Sequence, residues 1–246
     1  MKIKSLLMAV LLLGMFSRPT WAIDALYQAL PSDFFTQINP DAAEWQKIPT
    51  KTVTLMPQVI TQPSLPKATV PSLKVQAVHN RNWLALRLQW PDTDRSVITH
   101  TNVASDACAI EFPVKDVTLT SPFMGSAGFP VVILQWKACF QEDMTSGRQT
   151  VRDVHPNTWT DTDRFGLNAA QTVGNPVASA VRTQAVDELA AEGFGSLTAQ
   201  GTTTAQSWGV WKDGEWTVVM AYPLLEAEGI KPGVIIPKSG SLAFAI

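Results

Sequence analysis

The strongest constraint in this sequence is a two-residue alternation: Leu84, Leu86, Leu88 and Trp90 alternate with Ala85, Arg87 and Gln89. Such a pattern gives a strand one apolar face and gives a helix none. A second apolar run starts at Leu73, and His79-Asn80-Arg81-Asn82 separates the two, so residues 73–90 read as a hairpin with one buried face. Another hairpin is signalled by Asp213-Gly214, a tight-turn pair flanked by tryptophans, between residues 206–212 and 215–222. Residues 107–114 and 131–140 read as strands joined by a Gly, Ser and Pro loop over 118–130, and residues 241–246 as a last strand. Helical periodicity is scarce. Residues 185–191 are predicted as a short helix that Glu192-Gly193-Phe194-Gly195 ends. The expected fold is therefore all-β, an antiparallel β-sandwich with long loops and a few short helices.

The N-terminus adds a second constraint. Lys2 and Lys4 precede an apolar run over residues 6–16, then Ser17, Arg18, Pro19 and the small-residue pattern Thr20-Trp21-Ala22. This is the layout of a secretory signal peptide, assigned to residues 1–22. The run is well short of the roughly 20 residues needed to cross a bilayer, and no later stretch comes closer. Residues 23–246 are thus expected as one periplasmic domain without a membrane span, long enough to bury a core. A formal net charge of -2 with scattered basic residues argues against a nucleic-acid partner. Only 16% of residues are charged while Trp numbers 9, so part of the surface is expected to lie under a cofactor or a neighbouring subunit. Cys108 and Cys139 pair most simply as one disulfide in an oxidising compartment, two buried thiols being the alternative. No C-x-x-C-H occurs, which excludes a covalently attached c-type haem.

Enzyme motifs are absent: there is no G-x-S-x-G, H-E-x-x-H, phosphate loop or dinucleotide fingerprint. His79, His100 and His155 have no metal-ligand spacing and read as loop or turn residues. Asp92-Thr93-Asp94 and Asp161-Thr162-Asp163 do not continue into calcium loops and read as solvated turns. Residues 57–71 and 145–204 are long and strand-poor, and such loops usually wrap a ligand or a partner. Met124 stands in the loop Ser121-Pro122-Phe123-Met124-Gly125-Ser126, where no core packing asks for methionine. It either plugs the end of the sandwich or offers a thioether to a haem iron.

Several stretches carry a family resemblance: Asp106-Ala107-Cys108-Ala109-Ile110-Glu111-Phe112-Pro113, Pro122-Phe123-Met124-Gly125, and Pro130-Val131 through Gln135-Trp136-Lys137-Ala138. With them go Leu86-Arg87-Leu88-Gln89-Trp90-Pro91-Asp92, Ala191-Glu192-Gly193-Phe194-Gly195, and Gly209-Val210-Trp211-Lys212-Asp213-Gly214-Glu215-Trp216-Thr217-Val218-Val219. In order and spacing the chain resembles the haem-binding gamma subunits of the ethylbenzene dehydrogenase, dimethylsulfide dehydrogenase, chlorate reductase and selenate reductase group. The resemblance implies a β-sandwich holding one non-covalent haem b between a methionine and a lysine. It also implies an iron-sulfur beta subunit and a molybdopterin alpha subunit as partners, and a soluble c-type cytochrome as the electron partner. On that basis Met124 matches the methionine ligand, and the lysine is Lys212 at the Trp-Lys-Asp-Gly hairpin or Lys137 in Gln-Trp-Lys-Ala, with Lys212 favoured. Such a chain relays electrons and does no substrate chemistry, since an iron with both faces occupied has no open position. One departure is expected to matter: members of the group continue beyond an Ala-Phe-Ala strand, which here is Ala243-Phe244-Ala245 followed by Ile246.

The competing class is an exported carbohydrate-binding or structural β-sandwich without haem, in which surface tryptophans would stack on sugars.

Overall fold

The computed structural model describes residues 25–59, 62, 64–99, 104–114, 119–148, 155–157, 172–173, 181–201, 203–224 and 242–246. The leader at 1–22, His100 and Asp161-Thr162-Asp163 lie outside the described residues. In chain order the elements are β1 (Leu26–Tyr27), α1 (Asp33–Thr36), a 3-10 helix (Ala43–Lys47), β2 (Lys51–Thr54), β3 (Ser72–His79), β4 (Trp83–Pro91), β5 (Ala107–Pro113) and β6 (Val131–Lys137). There follow α2 (Ala138–Ser146), β7 (Val186–Ala191), β8 (Thr198–Ala199), β9 (Gln206–Lys212), β10 (Glu215–Pro223) and β11 (Ala243–Ala245). No described helix is long and apolar enough to cross a membrane.

Both expected hairpins form and meet in one sheet. β3 pairs antiparallel with β4, Val75 facing Leu88, and β9 pairs with β10 through a turn in which Asp213 and Gly214 have φ of 51° and 78°. That left-handed pair is what a two-residue type I′ turn requires. β10 then lies along β4 over its whole length, giving the order β1-β3-β4-β10-β9 with β2 also on β3. The second sheet has the order β11-β5-β6-β7-β8. Packed face to face, the two make the expected all-β sandwich.

Alternation puts Leu84, Leu86, Leu88 and Trp90 of β4 against Cys108, Ile110 and Phe112 of β5 and Val132, Leu134 and Trp136 of β6 in one core. Its densest part is aromatic. The Trp136 and Trp216 ring centroids are 5.1 Å apart, Trp90 lies 6.4 Å from Trp216, and the Trp216 indole N–H donates to Asp106 Oδ2 at 2.8 Å. Trp136 fits because residue 209 is glycine: a Cβ there would overlap its indole ring. At the other end of the sandwich Phe112 of β5 stacks on Tyr222 of β10. These contacts fix which ends of the two sheets lie together.

The hairpin over 73–90 was expected to bury one face, and the structure buries both. Val78, Ala85, Val219 and Ala221, on the outer side of the first sheet, form a separate cluster with Phe35, Trp45 and Ile48 of the N-terminal segment. Polar groups hold this segment down: Arg87 Nε donates to Pro40 O at 2.9 Å, and Gln76 Nε2 donates to Trp45 O at 2.8 Å and Ile48 O at 2.6 Å. Arg87 Nη1 in turn donates to Gln76 Oε1 at 2.9 Å. Burial lowers the Arg87 pKa, against the opposing pull of Asp41 and Glu215.

Three further expectations are corrected. Residues 185–191 are not a helix: β7 pairs with β6 from Val186 to Ala191. Their Ala, Leu and Glu content favours helix, but tertiary pairing overrides it. The inward position that spoils the alternation is Glu188, which accepts from Tyr222 Oη at 2.9 Å and from Thr204 N at 3.3 Å. The strand expected over 131–140 stops at Lys137, opposite the first residue of β5, and turns into α2. Gln141 of that helix accepts from Gly209 N at 2.7 Å, tying α2 to β9. Cys108 and Cys139 are both free thiols. Cys108 points into the core from β5, where burial raises its pKa well above the usual thiol value, whereas Cys139 belongs to α2 and not to a neighbouring strand.

Two outcomes follow from this packing. Gly209→Ala should lower stability by about 1–3 kcal/mol, as overpacking of a close-packed core does, while Val210→Ala on the opposite face of β9 should cost much less. Equal urea midpoints for the two would refute the Trp136 contact. Burial, chiefly, raises the Asp106 pKa, with Asp92 and Asp94 adding to it and the Ser96 N–H and Trp216 indole N–H opposing it. Stability linked to a raised carboxyl is full below its unfolded value, about 3.9, and is lost as pH rises through the folded value. Wild type should therefore lose stability relative to Asp106→Asn as pH rises above about 3.9, read as converging or crossing urea midpoints.

Candidate functional site

The outer face of the second sheet carries the site. Along β6 the residues that point away from the core are Val131, Ile133, Gln135 and Lys137, and register places Glu111 beside Ile133, Leu189 on the other side of Ile133, and Ala191 beside Val131. Val131, Ile133, Leu189 and Ala191 form a small apolar bed, and Met124 packs against it, half-buried.

Met124 reaches the bed through a turn that costs conformational energy. Its φ is 63° and that of Gly125 is 71°. Glycine tolerates such a conformation, whereas an unbranched side chain there costs about 1 kcal/mol or more. Gly125 has no alternative, since a Cβ would lie 2.7 Å from Phe129 O. The turn is closed locally by Gly125 N–H donating to Ser121 O at 3.1 Å and Phe123 N–H donating to Ser121 Oγ at 3.2 Å. Ser126 and Phe129 exchange two backbone hydrogen bonds, at 3.2 and 2.8 Å. Met124 itself is gripped from both sides: its N–H donates to Glu111 Oε2 at 3.1 Å, and its carbonyl accepts from Gly193 N–H at 2.7 Å.

Glu111 also lines a cleft of about 30 Å³ with Pro113, Thr120, Ser121, Pro122, Leu242 and Ala243. Burial, chiefly, raises the Glu111 pKa, and the Met124 N–H opposes the shift. Leu119 and Phe123 on this loop and Phe194 and Leu197 on the adjoining β7–β8 turn are exposed large apolar side chains.

The other expected site residues lie elsewhere. Lys137 shares the outward face of β6 but stands six residues from Val131, about 20 Å along a strand, with Nζ 4.9 Å from the Phe140 ring centroid. Lys212 is exposed at the end of β9, opposite Glu215. From Glu215 to Tyr222 is about 23 Å of β10, and Tyr222 stacks on Phe112, next to the Glu111 that holds Met124. The favoured pair is therefore not brought together: Met124 and Lys212 stand at opposite ends of the sandwich and on different sheets. His79 ends β3 with its ring 5.5 Å from Tyr27, and His155 is exposed. Asp92-Thr93-Asp94 is a turn in which Asp92 Oδ1 accepts from Asp94 N–H at 3.1 Å. Among the described residues no three His, Cys, Asp or Glu side chains gather as a metal site.

The residues fit a haem in part. A soft thioether on a water-poor apolar bed suits an iron ligand, and no lysine stands across from it among the two expected. Sequence reasoning did not single out Glu111 and Gly193, the two residues that hold the Met124 backbone. The signal for the first was a carboxylate in a strand whose other outward residues are Ala107, Ala109 and Pro113.

A family model described as ethylbenzene dehydrogenase matches residues 42–246. The gamma subunit of chlorate reductase from Ideonella dechloratans is 37% identical over 102 residues, which are 41% of this chain and 43% of that protein. The match thus spans less than half the length of this relative. Both findings agree with the resemblance to gamma subunits read from the residues, and the chain belongs to the ethylbenzene dehydrogenase family.

Proposed function

We propose that this chain is the electron-transfer gamma subunit of a periplasmic molybdopterin oxidoreductase, binding one non-covalent haem b and relaying electrons between an iron-sulfur beta subunit and a soluble c-type cytochrome. The observation that carries the reading is Met124, a thioether residue kept in a left-handed conformation and gripped on both sides of its backbone above an apolar bed. Strain of this kind persists where the surroundings impose it, and it concentrates at ligand-holding sites. When bound, a haem supplies one-electron redox chemistry. Met124 would hold one iron face, and a thioether there favours the reduced state and raises the potential. The bed of Val131, Ile133, Leu189 and Ala191, on which Met124 packs, would exclude water from beneath the thioether. Leu119, Phe123, Phe194 and Leu197, exposed on the two turns that the Gly193–Met124 hydrogen bond joins, would face the beta subunit, close to the ligand. The substrate chemistry then belongs to the alpha subunit.

The sugar-binding alternative loses its main support. Every described tryptophan is buried or partly buried, and Trp90, Trp136 and Trp216 form the centre of the core.

Protein purified from periplasm should show a Soret band that shifts on reduction, with all of the haem extracted by acid acetone; a colourless protein would refute the reading. Met124→Ala should convert a low-spin spectrum to high-spin or water-ligated, while costing about 1–2 kcal/mol of stability as a half-buried truncation. An unchanged spectrum would assign Met124 to packing alone. Lys212→Ala and Lys137→Ala should both leave the spectrum intact, because neither side chain stands near Met124; loss of the low-spin form in either would show that the site is assembled differently.

A further inference from the structure

We infer that Glu111 is the positioning residue of the Met124 loop: its carboxylate, fixed on β5, grips the Met124 amide and so sets where the thioether points. This inference rests on the haem reading for its purpose, though not for its geometry.

β5 does not need Glu111 for its own stability. It is held by β6 along its length and by β11 over Ala109, Ile110 and Glu111. In register, Glu111 sits between Ile133 and Ala243, and its outward neighbours on β5 are Ala109 and Pro113. An apolar side chain would be the cheaper choice at such a half-buried position. Among the described residues, what the carboxylate supplies is an acceptor for the N–H of Met124 at 3.1 Å. The turn closes without it through Ser121, Ser126 and Phe129. Glu111 therefore acts on the orientation of residue 124, not on closure of the loop. With the Met124 carbonyl taken by Gly193 N–H at 2.7 Å, the two peptide groups that flank the Met124 Cα are anchored to β5 and to the β7–β8 turn. A side chain hung between two fixed peptides has only its own rotamers left to choose from. Hydrogen bonds to an ionised acceptor are about twice as strong as neutral ones, so an acceptor-keeping substitution should weaken the grip and an acceptor-deleting one should abolish it.

The test compares full-length wild type, Glu111→Gln, Glu111→Ala and Met124→Ala. In haem-free protein, hydrogen exchange at the Met124 amide should accelerate about tenfold or more in Glu111→Ala and much less in Glu111→Gln. Equal exchange in wild type and Glu111→Ala overturns the inference whether or not the protein binds haem. In haem-loaded protein, Glu111→Ala should show a mixture of the wild-type low-spin spectrum and the Met124→Ala spectrum, and Glu111→Gln should restore the wild-type form. A pure wild-type spectrum in Glu111→Ala overturns the inference and leaves the haem reading standing. A wild type without haem sinks that reading, and the amide exchange then decides the grip alone. If Glu111→Ala fails to fold, Glu111→Leu, which suits an apolar outward position, takes its place with the same two readouts.

Discussion

The Trp136 indole lying across the backbone of Gly209 is the contact on which the remaining geometry depends. It brings the second sheet against the first at a point where no other residue type would let them meet, and Trp90 and Trp216 close around it. Gln141 caps the arrangement by accepting from both the Trp136 indole N–H at 3.2 Å and Gly209 N–H at 2.7 Å. Once β6 is seated this way its alternation is fixed. Val132, Leu134 and Trp136 go inward, and Val131, Ile133 and Lys137 are turned out. A slip of one residue would exchange the two sets and remove the bed beneath Met124.

The outward row does something the core cannot. A core position holds a side chain by surrounding it, which leaves no room for a ligand. Met124 is held instead by its backbone, through Glu111 and Gly193, so that its thioether is defined in place while remaining half-exposed. The energy stored in the left-handed turn is small beside the burial of the three core tryptophans, and the sandwich can carry it.

Much of the fold was legible because it rests on alternation and turn chemistry, both local. Leu84 to Trp90 announced β4 by period, and Asp213-Gly214 announced the β9–β10 turn by its need for positive φ. Residues 185–191 were misread because the inward placement of Glu188 depends on Tyr222 and Thr204, partners that no window around 188 contains. The site was legible in one residue and illegible in its geometry. Met124 stood out as a methionine in a loop without a packing reason. The distances separating it from Lys137 and Lys212 depend on which ends of the two sheets meet, and that is set by Trp216 on Asp106 and by Tyr222 on Phe112. Pairings between residues about a hundred positions apart leave no periodic trace.

The N-terminal segment docked on the first sheet has a kinetic consequence. Phe35 and Trp45 precede β3 in the chain, yet the surface that receives them includes Val219 and Ala221 on β10, which follows every other strand of the first sheet. The segment has no finished seat until β10 has inserted between β4 and β9. Its docking is then a late step of high sequence separation, and until it happens Ala85, Val78 and the paired backbone beneath them stay open to water. A chain built this way seals one side of the sandwich only after every strand of the first sheet is in place. The hydrogen bonds of Arg87 and Gln76, on β4 and β3, then fasten the segment over that face.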